Sequence, residues 1–289
     1  MNAERFVSLG SYTVTEQGAL FRVRAGEQSG KPPVLFLHGI PSWSWLWRDV
    51  LAVTGTDRLS IAVDLPGFGM SEKHGQQDFH VAALAGALEE FIDREVGPDE
   101  PVALVTHDFG ALVGAELIHR NPQRISELVI TNTSFRAQAW IGGGPLRILG
   151  VPYLGDLSMG LARPWMLRRA MRPFVADEGA IYGERFDGYW HPFRHGFGLT
   201  LARFYRQRPV SAEDFERWRN ALCTYQGRAL VLWGLRDPAF REVEMQDILG
   251  LLPEAETMMV PGASHFLPED APKSTGRRIR SFLAGIPVS

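Results

Sequence analysis

"LVTHDFGALVG", residues 104–114, reads as the end of a buried strand, a sharp turn and the start of a helix. A turn of that kind usually presents a serine nucleophile in the pattern Gly-x-Ser-x-Gly. Here Asp108 stands at the centre, with Thr106 two residues before it and Gly110 two after. An Asp that follows a strand can also be a plain N-cap for the next helix. The residue alone does not separate the two roles, so its surroundings must.

Outward from this turn, short apolar runs alternate with helical patterns. "PVLFLHG" (33–39), "LSIAVDLPG" (59–67) and "PVALVTHD" (101–108) have the continuous apolar character of strands buried on both faces. "HVAALAGALEEFIDREV" (80–96) places Val81, Leu84, Leu88, Phe91 and Ile92 at helical spacing. "SELVITNTS" (126–134), "RALVLWGLRD" (228–237) and "AETMMVPGASH" (255–265) continue the strands, and "APKSTGRRIRSFLAG" closes with a helix. Such alternation predicts a mostly parallel sheet covered by helices on both faces. Ligands of such sheets bind beyond the carboxyl ends of the strands. Residues 135–220 break the rhythm: they are rich in Arg, Trp and Pro, and "PLRILGVPYLGDL", "PWMLRRAM" and "LARFYRQRP" read as short helices. The expectation is a core formed by 1–134 and 221–289, with 135–220 as a helical cap over the strand ends.

Composition narrows the class. The 289 residues carry a formal net charge of −3 and no long basic run, which argues against nucleic acid as a partner. Cys223 is the single cysteine, so no intrachain disulfide can form; a reducing, cytoplasmic setting is expected. The first residues lack the apolar core of a secretory signal, and no run approaches the roughly 18 apolar residues of a membrane span, so no membrane is expected as a partner. His38, His107 and His265 lack the spacing and partners of a metal set, and "PGFGMSE" lacks the third glycine of a dinucleotide loop. No metal and no cofactor are expected.

Two further residues give Asp108 its meaning. "LWGLRDPAF" puts Asp237 just after a strand, and "VPGASHFLPED" puts His265 in a loop after the next one. "LFLHGIPSWSW" places a glycine turn after the first strong strand, where the Ile40 N–H and that of Phe109 can converge on one oxygen. Nucleophile, then acid, then histidine is the chain order of α/β-hydrolases. "HGIPSW", "DLPGFGMSEK", "HDFG", "LWGLRDP" and "GASHFLPEDAP" resemble the aspartate-nucleophile branch of that superfamily, which holds epoxide hydrolases and haloalkane dehalogenases. The resemblance implies an α/β-hydrolase fold with an α-helical cap inserted after the sixth strand. It implies Asp108 as nucleophile, His265 as base and Asp237 as its orienting acid. Some dehalogenases take the acid from the end of the preceding strand, but "VITNTS" offers only Asn132 there.

An aspartate nucleophile has a chemical reason. A carboxylate, with a reference pKa of roughly 3.9, is ionised at neutral pH and needs no base. Its attack on saturated carbon leaves an alkyl ester, which water activated by His265 can cleave. A serine would leave an ether. The substrate is therefore expected to carry a leaving group on saturated carbon. A halide needs only weak donors, which the dehalogenases supply from the residue after the nucleophile and from the turn after the first strong strand. Phe109 and Ile40 have no side-chain donor, so Trp140, Trp165 or Trp190 of the cap would have to serve. An epoxide leaves as an alkoxide and needs an acid. "LARFYRQRP" resembles the cap motif of epoxide hydrolases and nominates Tyr205, with Tyr153 as second acid and Tyr182 and Tyr189 as substitutes. His38, Trp43, Trp140, Trp165, Trp190 and Phe266 are candidates to line the substrate site. The reading adopted is an epoxide hydrolase acting on hydrophobic epoxides. The alternatives are a haloalkane dehalogenase or related β-lactone-cleaving enzyme, since "NTSFRAQAWIGGGPLRILGVPYLGDL" resembles that subgroup, and a non-catalytic ligand-binding member of the fold. Whether the chain is a monomer or a homodimer is left open.

Overall fold

A computed structural model describes residues 1–141 and 145–286, with the backbone alone for 145–147. Its sheet has eight strands: β1 (Gly10–Thr15), β2 (Gly18–Ala25), β3 (Val34–Leu37), β4 (Ser60–Val63), β5 (Val102–His107), β6 (Ile125–Thr131), β7 (Arg228–Gly234) and β8 (Glu256–Val260). They lie in the order β1-β2-β4-β3-β5-β6-β7-β8. β2 runs antiparallel to both β1 and β4, and every other pair is parallel. This is the mostly parallel α/β-hydrolase sheet that the resemblance implied.

β3, β4 and β5 are buried along their whole length, as their continuous apolar runs predict. Side chains alternate between two apolar layers, one on each face. One layer joins Leu35, Leu37 and Leu104 to the helices Val81–Glu95, Phe109–Arg120, Ala212–Cys223 and Glu242–Leu251. The other joins Phe36, Ala103 and Val105 to the helices Arg48–Thr54 and Pro272–Leu283. The β1–β2 hairpin is absent from the sequence reading. β1 shows why: its burial alternates and it lies at the sheet edge, so it has no continuous apolar run to announce it.

Between β6 and β7 the described residues form helices and turns but no strand. "PWMLRRAM" is a helix over Pro164–Met171, as expected, and "LARFYRQRP" falls in and just beyond the helix Phe197–Gln207. This insertion reaches both apolar layers: Phe197, Leu201 and Phe204 enter one, Leu167, Phe186 and Tyr189 the other. Its last helix, Ala212–Cys223, lies along the helix Phe109–Arg120, where the buried Glu116 accepts from Trp218 Nε1 (2.7 Å), Arg217 and Arg120. Among the described residues no helix is long and apolar enough to cross a membrane.

Candidate active site

The turn after β5 is the sharpest backbone feature of the site. Asp108 has φ 52° and ψ −124°, a conformation that L side chains rarely adopt. The turn survives because its neighbours fix it: Thr133 Oγ1 donates to the Asp108 carbonyl (2.8 Å) and Asp108 N–H points to Thr131 O (3.4 Å). Gly39 and Gly110 make the approach possible. A Cβ on Gly39 would lie 2.3 Å from Asp108 Cβ and Oδ1, and one on Gly110 would lie 2.5 Å from the His38 carbonyl oxygen.

Asp108, Asp237 and His265 follow β5, β7 and β8, and the structure brings them together. His265 Nδ1–H donates to Asp237 Oδ2 (2.8 Å), which leaves Nε2 facing Asp108 Oδ2 at 3.8 Å. The Ile40 N–H donates to Asp108 Oδ1 (2.7 Å), and the Phe109 N–H also supports that carboxylate. One of the two expected oxyanion donors, the Ile40 N–H, thus already holds Asp108 Oδ1. Burial is the main reason the Asp108 pKa is raised; the His265 charge and the two N–H groups oppose the rise. Burial would lower His265, but Asp237, then Asp108 and Asp270, outweigh it and raise its pKa. Asp237 shows the opposite balance: burial would raise it, yet His265 and the N–H groups of Phe240 and Ala239 hold it below the usual range.

Asn132, noted in the sequence only as the lack of an acid, proves to be a partner. Its Nδ2 donates to Asp237 Oδ2 (2.9 Å) and to Gly234 O (3.1 Å), while its Oδ1 accepts from Gly234 N–H (2.9 Å). Asn132→Ala is expected to cost about 3 kcal/mol of unfolding free energy, the scale of leaving buried partners unsatisfied. Urea denaturation measures it, and an unchanged midpoint would remove Asn132 from the support of Asp237.

Tyr205 stands in the field of the Asp108 carboxylate; burial first, then that charge, holds its phenol well above the ordinary value. The second acid expected at Tyr153 is not in place. Tyr153 has φ 60° and is 88% exposed, so its side chain leaves the site for solvent. Tyr182 is also exposed, beneath the Arg168 guanidinium, and Tyr189 is buried with its hydroxyl given to Glu269 Oε1 (2.7 Å).

Several expected lining residues sit elsewhere. His38 is fully buried: Leu65 N–H donates to its Nε2 (3.0 Å) and its Nδ1–H reaches Gly39 O (2.8 Å), so it braces the turn. Burial lowers its pKa to about 4, and the imidazole is neutral. Trp43 packs in the core against Phe6, with its N–H on Gly188 O (3.0 Å). Trp165 is 62% exposed. Trp190 stacks on Phe193 with ring centres 5.0 Å apart. Trp140 does border the site, edge-on to Phe109 and beside Phe240, but its N–H is taken by Ser134 O (2.7 Å). Phe266 packs on His265 (5.1 Å), and Phe240 and Phe174 rest on the same ring at 5.6 and 5.7 Å. Neither of the last two was a candidate in the sequence, where each is one more apolar residue in a loop.

A parallel sheet whose elbow, acid loop and histidine loop converge at its carboxyl edge defines an α/β-hydrolase. The chain belongs to the alpha/beta hydrolase family, whose model matches residues 34–275. Among its relatives is a cis-3-alkyl-4-alkyloxetan-2-one decarboxylase of Xanthomonas campestris pv. campestris, 26% identical, with 88% of this chain and 89% of that protein covered. Epoxide hydrolase 1 of Caenorhabditis elegans is 23% identical, with 94% and 69% covered. The haloalkane dehalogenase DbeA of Bradyrhizobium elkani USDA94 superposes with a TM-score of 0.82 at 21% identity, covering 96% of this chain and 97% of that one.

Proposed function

We propose that this hydrolase opens hydrophobic epoxides to diols through an alkyl ester on Asp108. In this reading Asp108 Oδ2 attacks a ring carbon while the Tyr205 hydroxyl gives its proton to the departing oxygen. His265 Nε2 then takes a proton from water as the hydroxide adds to Asp108 Cγ, and the negative charge gathers on Oδ1. Collapse breaks the bond from Cγ to Oδ2, which leaves on the substrate carbon as the second hydroxyl with the proton from His265, and the proton of the new Asp108 carboxyl restores the Tyr205 phenol. The Ile40 N–H suits this sequence because it already holds Oδ1, the atom that becomes the oxyanion. The helical insertion acts as the cap that carries Tyr205.

What supports the reading is the burial of Tyr205 within electrostatic reach of Asp108, beside two apolar side chains, Ile40 and Phe109, at the positions that cradle a halide in dehalogenases. The nearest cap tryptophan, Trp140, has no free donor either. Tyr205→Phe keeps the ring and removes the acid. Alkylation by styrene oxide should then slow by about 10²–10⁴-fold, the usual worth of a general acid. A wild-type enzyme that ignores epoxides, releases halide from 1-haloalkanes and is indifferent to Tyr205→Phe would be a dehalogenase instead.

One observation favours a second reading. With Tyr153 exposed, the second acid expected for the leaving oxygen is lacking, which suits a leaving group that needs none. A β-lactone opened at its saturated carbon leaves as a carboxylate, and the relative named as an oxetanone decarboxylase has such a ring in its name. Turnover of a cis-3,4-dialkyl β-lactone that survives Tyr205→Phe would select this reading.

A further inference from the structure

The loop that carries His265 ends in two acids, Glu269 and Asp270, and both reach into the insertion. Asp270 Oδ2 accepts from the N–H of Ser264 (2.7 Å), the residue just before His265. Its Oδ1 accepts from the N–H groups of Ala176 (2.8 Å) and Asp177 (2.9 Å), which lie between the insertion helices Pro164–Met171 and Gly183–Trp190. A third bond runs the same way, from Phe266 N–H to Phe174 O (3.0 Å), and the Phe174 ring rests on the His265 imidazole. Glu269 ties the adjoining helix to the core by accepting from Arg185 and Tyr189 of that helix and from Arg48 of the helix Arg48–Thr54. Plain packing would not require one carboxylate to hold three peptide N–H groups from two segments nearly ninety residues apart in sequence.

We propose that Asp270 is a positioning residue that latches the cap to the histidine loop, so that the seating of residues 174–177 and the placement of His265 are one event. This rests on the reading of His265 as the base of ester hydrolysis. Four titratable groups face the imidazole: Asp237 from the loop after β7, Asp108 from the elbow, His107 from β5 and Asp270 from its own loop. Asp270 in turn faces Asp177 of the cap. Burial keeps His107 neutral, and Glu269 is matched by Arg48 and Arg185. Asp270 therefore adds negative charge beside the imidazolium as well as fixing its backbone.

Asp270→Asn removes the charge and turns one acceptor into a donor. Amide hydrogen exchange at Ser264, Ala176 and Asp177 should quicken together by about tenfold or more, while that of Val105 in β5 stays unchanged. The NMR titration midpoint of the His265 ring should move to lower pH. Hydrolysis of the enzyme ester should slow by about tenfold with the alkylation rate retained. Asp270→Glu keeps the charge but misplaces it; exchange should quicken in both loops while the His265 midpoint moves less. Quickening in one loop only, an unmoved His265 midpoint in Asp270→Asn, or a uniform rise in exchange over the whole chain would overturn the latch. If the wild type forms no ester on Asp108, the functional reading falls, and the exchange and titration results still judge the latch.

Discussion

Asp108→Asn is expected to cut turnover by about 10⁴-fold or more, the scale seen when a covalent nucleophile is lost. The amide keeps an oxygen for the Ile40 N–H, so the loss falls on nucleophilicity and not on the fold. A wild-type single turnover in heavy-oxygen water makes the stricter test. Water attacks Asp108 Cγ, so the label should enter the Asp108 side chain and the product should carry an old carboxylate oxygen. Label found in the product alone would mean direct attack of water on the substrate, and the ester would be excluded.

The second large effect separates the two halves of the reaction. His265 Nε2 lies 3.8 Å from Asp108 Oδ2, close enough to serve water at the ester but with no proton to remove from an ionised nucleophile. His265→Gln should therefore still be alkylated and then stall, with intact-protein mass spectrometry showing one added substrate and hydrolysis slower by about 10²–10⁴-fold. In the wild type, hydrolysis should be lost as pH falls through the pKa His265 has in the ester, where Asp237 and Asp270 still raise it against burial, because only the neutral ring accepts a proton. Alkylation is lost as pH falls through the raised pKa of Asp108. The steps are linked: ester formation removes the Asp108 charge, one of those raising His265, and so favours the free base when water must be activated. A folded His265→Gln variant with neither adduct nor turnover would give His265 a part in alkylation itself.

The legible part of this molecule is the part written in short-range pattern. Continuous apolar runs announced the central strands, and Asp108 and Asp237 stand just past such runs with His265 in the loop after the next strand, in a fixed order. What escaped depends on neighbours brought together by topology. β6 and β7 pair in parallel, with Thr131 opposite Leu232, and that pairing sets Asn132 beside Asp237. Nothing in "VITNTS" alone reveals it. Tyr153 sits at a plausible distance along the chain, but a positive φ turns it outward. His38 and Trp43 flank the Gly39-Ile40 turn in sequence, yet a backbone N–H, a carbonyl and Phe6 from the N-terminal helix claim them. A nearby position in sequence identified the turn correctly and the direction of its side chains wrongly.

Glu116 carries a lesson for anyone who would exchange the insertion between β6 and β7 among relatives. It stands two turns along the helix that Asp108 begins, and it holds Arg217 and Trp218 of the last helix of the insertion. The histidine loop is tied to residues farther forward in the same insertion. Asp108 and His265 thus have separate moorings in a segment that looks like a detachable module. A grafted cap would bring its own selectivity for substrates, but without partners for Glu116 and Asp270 it would also slacken the elbow and the histidine loop. Transplants limited to residues 148–171, which lie outside both moorings, should alter which molecules enter and leave the rate of ester hydrolysis as it was.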